Sequence, residues 1–118
     1  ISILNQKYES QMKKGMLDML VLKLLEKEPK YGYQIISELR EKSGDRFVLK
    51  EGTLYPILYR LEDDGLILSQ WQQSSGKKVP RKYYQITADG RSSLLEIFTL
   101  WRELSSAAAQ IMEDRGNE

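Results

Sequence analysis

The chain has 118 residues, enough for one compact domain, and its 18 Lys+Arg stand against 17 Asp+Glu for a net charge of +1. It contains neither Cys nor His, which excludes thiol nucleophiles, imidazole bases, disulfide frameworks and most transition-metal sites, so no metal or cofactor is expected. No apolar run approaches the roughly 18 residues needed to cross a bilayer and no secretory pattern opens the chain, so the reading is a cytoplasmic protein with no membrane partner.

The first element is a helix predicted from about Ser10 to Lys27, with no internal proline. Between Met16 and Leu25 eight of ten residues are apolar, more than the single stripe a surface helix needs. Two faces must therefore be buried, and a second subunit is the simplest cover for the other. Pro29 ends this element. A second helix is predicted over Tyr31–Ser43, with Tyr33, Ile36 and Leu39 on its apolar side and Gly44 as its stop. The third runs from about Thr53 to Asp64, with Leu54, Ile57, Leu58 and Leu61 as the inward stripe and Gly65 closing it. Thr53 as N-cap places Pro56 at the third helical position, where its missing N–H costs no intrahelical bond.

Residues 66–71 and 81–86 then read as two strands around a polar turn, the return limb alternating Lys82, Tyr84, Ile86 against Tyr83, Gln85. From Gly65 through Ala88 there is no acidic residue, while Lys77, Lys78, Arg81 and Lys82 cluster in six positions. Thr87 caps a last helix reaching about Asp114, on the order of 40 Å long. Its stripe of Leu94, Ile97, Phe98, Trp101, Leu104, Ala108, Ile111 and Met112 outruns any core this chain can build, so it asks for a partner helix.

Three short helices followed by a basic hairpin is the order of a winged helix-turn-helix, whose third helix enters the major groove. The expected fold is mainly α with a small β-hairpin: a DNA-binding unit over residues 1–87 and a dimerisation helix over 88–118 packed on the same core. Thr53, Tyr55, Pro56, Tyr59 and Arg60 lie off the apolar stripe of the third helix and are candidates to face double-stranded DNA. Arg60 can donate to a guanine edge or a phosphate, and the tyrosines can pack on thymine methyls. The plain alternative is that the tyrosines are partly buried and Arg60 pairs with Asp63 or Asp64 on its own helix. Lys77, Lys78, Arg81 and Lys82 are candidates for phosphate contacts, or else keep an exposed hairpin soluble. Tyr31 and Gln34 open the second helix, where backbone amides favour a phosphate, whereas Tyr33 is expected in the core. Met16, Leu20, Leu94, Phe98, Trp101, Leu104, Ala108 and Ile111 are the candidate homodimer contacts.

The run from Gly52 to Glu62, GTLYPILYRLE, resembles the recognition-helix signature of PadR-type transcriptional regulators. So do Tyr31–Ile36, YGYQII, and Arg81–Thr87, RKYYQIT, followed by Gly90, and the three motifs occur in the family's order. The resemblance spans about Met12 to Trp101 and is to the compact branch with one helix after the wing. It implies a dimeric bacterial repressor that binds an inverted-repeat operator and, in many members, is released by a small effector. In multidrug-sensing members a tryptophan fourteen residues after the wing's last threonine stacks on flat aromatic ligands at the dimer centre, and Thr87 to Trp101 has that spacing. Met12, Met19 and Phe98 would line the same site, although Ser105 stands where relatives that sense cations can carry an acid. Trp101 as a simple interface anchor is the competing reading. Two other function classes fit the sequence less well: a winged-helix protein-interaction module that does not read DNA, and an enzyme. The acid-free wing and the Tyr/Arg face of the third helix count against the first. The second lacks a nucleophile or base beside Asp63 and Asp64.

Overall fold

The computed structural model describes residues 3–73 and 79–116, and it has the element order α1 (Ile3–Lys14), α2 (Leu17–Leu24), β1 (Lys30–Tyr31), α3 (Gly32–Lys42), α4 (Glu51–Asp63), β2 (Ile67–Gln72), β3 (Arg81–Ile86), α5 (Ala88–Met112). The single helix expected from Ser10 to Lys27 is two helices. Gly15, whose backbone freedom disfavours helix, and Met16 form a turn closed by Met16 N–H to the Lys13 carbonyl at 2.9 Å. The break separates two kinds of surface: α1 buries no residue, while α2 buries Leu17, Met19, Val21 and Leu22. The dense apolar run also has a simpler cause than a second subunit. Helix α2 is central and packs on α3, α4 and α5 of its own chain. Helix α1 is instead fastened by charge: Glu9 pairs with Arg46 at 2.6 Å, and the Lys13 ammonium lies 5.4 Å from the Phe47 ring centre.

Helix α3 ends as expected at Gly44, whose φ of +59° suits glycine, and Asp45 N–H reaches back to the Arg40 carbonyl at 2.9 Å. Helix α4 starts earlier than the sequence suggested. Lys50, not Thr53, is the extended N-cap residue, and its carbonyl accepts from Thr53 and Leu54 N–H, both at 3.0 Å. Pro56 therefore sits inside the helix and withholds one N–H from the Gly52 carbonyl. Gly52 and Pro56 are both exposed, so water can serve that carbonyl.

The sheet has three strands in the order β1-β3-β2, all antiparallel, where the sequence suggested two. The added strand pairs Lys30 with Tyr84 and Tyr31 with Tyr83. Lys30 is 4% exposed, and its ammonium is neutralised by Glu28 and Glu38, each at 3.2 Å. Thr87 caps α5 as expected: its Oγ1 accepts from Gly90 N–H at 2.9 Å and donates to the Gly65 carbonyl at 2.8 Å. The core is formed by Val21, Leu22, Leu25, Ile35, Leu54, Leu58, Leu61, Ile67 and Tyr84, so three helices and the sheet share one apolar centre. Helix α5 joins this centre through Gly90, Leu94 and the half-buried Ile97, which the sequence had placed on the partner stripe, and then leaves it, stretching the molecule to 71 Å along its long axis. Phe98, Trp101, Leu104, Ala108 and Ile111 are exposed along it.

Candidate nucleic-acid interface

Helix α4 turns Leu54, Ile57, Leu58 and Leu61 inward, which leaves Thr53, Pro56, Tyr59 and Arg60 exposed and Tyr55 half-buried. The Tyr55 ring lies against the first residue of α3. A Cβ at Gly32 would stand 2.5 Å from the Tyr55 hydroxyl, so the glycine is what lets that phenol approach. Tyr59 follows one turn on, with ring centres 6.2 Å apart.

The return strand carries its two cations on opposite faces, each set against aromatic rings. The Arg81 guanidinium lies 4.4 Å from the Tyr31 ring centre, and Tyr31 in turn meets the Tyr83 ring edge-on at 5.4 Å. The Lys82 ammonium sits 6.0 Å from the Trp71 ring centre and 5.7 Å from that of Tyr84. These contacts hold both cations over aromatic faces, each at moderate gain. Tyr31, Tyr55, Tyr59, Arg81 and Lys82, singled out separately in the sequence, line one open hollow of about 370 Å³ together with Tyr33, Glu51 and Trp71. An aromatic surface carrying two cations can pack on sugars and base edges while meeting phosphate charge.

Several side chains stand elsewhere than expected. Tyr33 is 68% exposed rather than core, because the inward side of α3 is taken by Ile35 and Leu39. Gln34 is engaged locally: its Oε1 accepts from Tyr31 N–H at 3.1 Å and fixes the start of α3. Arg60 pairs with neither Asp63 nor Asp64. Its guanidinium instead meets the Asp18 carboxylate of α2, with Nη2 to Oδ1 at 2.9 Å and Nη1 to Oδ2 at 3.2 Å. Lys77 and Lys78 lie outside the described residues. Asp18, Glu51 and Trp71 escaped the sequence reading. Trp71, directly opposite Lys82 in the register, could have been found from the hairpin pairing alone.

The candidate effector residues divide between two places within one chain. Phe98 and Trp101 stack with ring centres 6.1 Å apart and planes 13° apart. Met19 and Phe98 share a hollow of about 220 Å³ between α2 and α5, with Leu20 and Leu95. Met12 lines a different hollow of about 600 Å³, between α1 and the connection from α3 to α4, with Tyr8, Met16 and Phe47. Among the candidate dimer contacts, Met16 and Leu20 are half-buried, and Leu94 belongs to the chain's own core.

Tyr84, sealed beneath the hollow, has its phenol pushed up to about 12 from the ordinary 10, first by burial and then by Tyr55, Tyr59 and Glu62. The folded state therefore keeps this proton to higher pH than the unfolded chain. The stability linked to this proton is fully present below pH 10 and is expected to be lost as pH rises from 10 towards 12. Denaturant midpoints across that range, with Tyr84→Phe showing a shallower decline, check the assignment.

Among the described residues no helix is long and apolar enough to cross a membrane, and no group of three His, Cys, Asp or Glu side chains is placed to hold a metal ion. Residues 21–96 match the transcriptional regulator PadR-like family. A PadR family transcriptional regulator from Eggerthella lenta superposes with a TM-score of 0.86 at 32% identity, covering 95% of each chain. A PadR-like transcription factor from Bacteroides fragilis superposes at 0.72 with 43% identity, covering 89% of this chain and 98% of the other. The negative transcriptional regulator PadR of Bacillus subtilis is 34% identical over 74 residues, 63% of this chain and 40% of the relative.

Proposed function

This chain belongs to the PadR-like family of transcriptional regulators, proteins that bind DNA through a winged helix and are not enzymes, and from that premise we propose that it is a cytoplasmic repressor acting as a homodimer on an inverted-repeat operator. The observation that carries the reading is the single hollow joining the outward tyrosines of α4 to the wing cations Arg81 and Lys82. It gives one contiguous surface with base-contacting side chains at its centre and phosphate-contacting ones at its edge. The name of the Bacillus subtilis relative supports the repressor sense.

The exposed face of α5 supports the dimer. Phe98, Trp101, Leu104 and Ile111 form an exposed apolar stripe that a second copy would cover, and burying such a stripe is favourable by about 25 cal/mol per Å². Two copies joined there would present their α4 helices to half-sites about one helical turn apart. A small aromatic effector would enter between the subunits against the stacked Phe98 and Trp101, where it would change the tilt of the two bodies and thus operator affinity.

Selection of bound duplexes from a random pool tests the reading. Enrichment of an inverted repeat with half-sites about 10 base pairs apart is the expected result, and binding with no sequence preference would remove the regulator assignment. Repeating the selection with a panel of flat aromatic compounds, while Trp101 fluorescence is followed in a Trp71→Phe background, tests the effector.

A further inference from the structure

Arg60 lies at the far end of the exposed face of α4, one turn beyond Pro56 and beside Tyr59. Both of its terminal nitrogens point at one carboxylate: Nη2 is 2.9 Å from Asp18 Oδ1, and Nη1 is 3.2 Å from Oδ2 and 3.4 Å from Oδ1. Such a fork is directional and fixes the guanidinium plane. The partner comes from 42 residues away, although Asp63 and Asp64 stand three and four positions along the same helix. Asp18 itself sits in the first turn of α2, where the helix dipole favours its negative charge. The side chains of the pair are 51% and 38% exposed, so solvent screens it and a competing phosphate can displace it.

We propose that Asp18 is a specificity-determining residue, whose carboxylate withholds Arg60 from duplexes that offer no matching acceptor. The proposal rests on the DNA-regulator reading above. A paired Arg60 carries no net charge to the interface and releases no counterions from a random duplex. The uncompensated carboxylate left behind when Arg60 is drawn away also repels nearby phosphate, so recruitment succeeds only where a base edge or phosphate meets the guanidinium squarely. This is discrimination by penalising the wrong partner as well as rewarding the right one.

The test compares wild type, Asp18→Asn, Arg60→Ala and the double variant on a random-sequence duplex and on a duplex selected by the wild type, from about 50 to 200 mM salt. Asp18→Asn keeps the shape of the side chain and removes its charge. It is expected to tighten binding to the random duplex about fivefold at 0.15 M salt and to steepen the log–log salt slope by about 0.9. The selected duplex should gain less, so the ratio between the two falls. Adding Arg60→Ala should cancel the gain. An unchanged random-duplex affinity and slope in a folded Asp18→Asn protein overturns the proposal, as does equal tightening on both duplexes. A double variant that still binds the random duplex more tightly than wild type overturns it too, since loss of the carboxylate alone would then be the cause. Asp18→Ser, well suited to a first helical turn, carries the same comparison should the asparagine variant melt early. If the wild type has no preferred sequence, the regulator reading fails, while the random-duplex arm still decides whether Asp18 holds Arg60 back.

Discussion

Gly90→Ala is expected to lower stability by about 3 kcal/mol and the melting temperature by about 10 °C. A Cβ at this position would stand 2.1 Å from the Leu66 carbonyl oxygen and 2.7 Å from Ile86 Cγ1. The obstruction is backbone, and it cannot rotate away: Leu66 O accepts from Thr87 N–H at 3.0 Å, one of the bonds joining the end of the sheet to the start of α5. Either α5 lifts from the sheet, exposing Leu94, or the bond is lost. The intrinsic preference of a helix for alanine over glycine returns only about 1 kcal/mol. Gly52→Ala is the control, since a Cβ there meets nothing within 4 Å and the residue is helical. It should gain about 0.5 kcal/mol. Thermal unfolding of both variants decides the matter; equal melting temperatures would show that α5 does not depend on this close approach.

Replacing Arg81 and Lys82 together by glutamine should weaken binding to every duplex by about 30-fold at 0.15 M salt and reduce the salt slope by about 1.8. The figures follow from two phosphate contacts at roughly 0.9 ion each. The ratio between selected and random duplexes should stay constant, because backbone contacts carry no sequence information directly. Anisotropy titrations over a salt series measure both quantities. Arg81 over Tyr31 and Lys82 beside Trp71 are aromatic-backed in the free protein, so part of the ordering entropy is already lost before DNA arrives. A slope unchanged by the double substitution would mean that the wing does not touch the backbone.

What could be read in the sequence was local. The glycine after α4 works within five residues, Leu66 N–H reaching the Leu61 carbonyl at 2.9 Å and Gly65 N–H that of Glu62 at 3.0 Å, and the Thr87 cap closes within three. Such signals need only the neighbouring chain. Strand β1 was hidden because its Lys30 is charged, and only Glu28 and the distant Glu38 make its burial tolerable. The depth of Pro56 in α4 was hidden because capping statistics favour Thr53, whereas the helix begins after the extended Lys50, which offers no side-chain cap to read. Tyr33 was misplaced because periodicity gives an apolar side but not its width. The hollow itself was half legible: the motifs supplied Tyr31, Tyr55, Tyr59, Arg81 and Lys82, but the pairing of Arg60 with Asp18 depends on how α2 crosses α4.

Helix α5 spans 25 residues, and among those described only Gly90 and Leu94, both within its first two turns, are buried in the body it springs from. Mechanically it is a beam clamped at one end. Over a length of about 37 Å, a swing of about 5° at the clamp carries the free tip some 3 Å sideways. Conversely, whatever grips the tip exerts a long moment arm on the clamp, where Thr87 and Arg91 tie the beam to Gly65 and Glu26 by bonds of 2.8 Å each. A small push far from the winged body is thereby geared down into a stiff, fine adjustment of its angle.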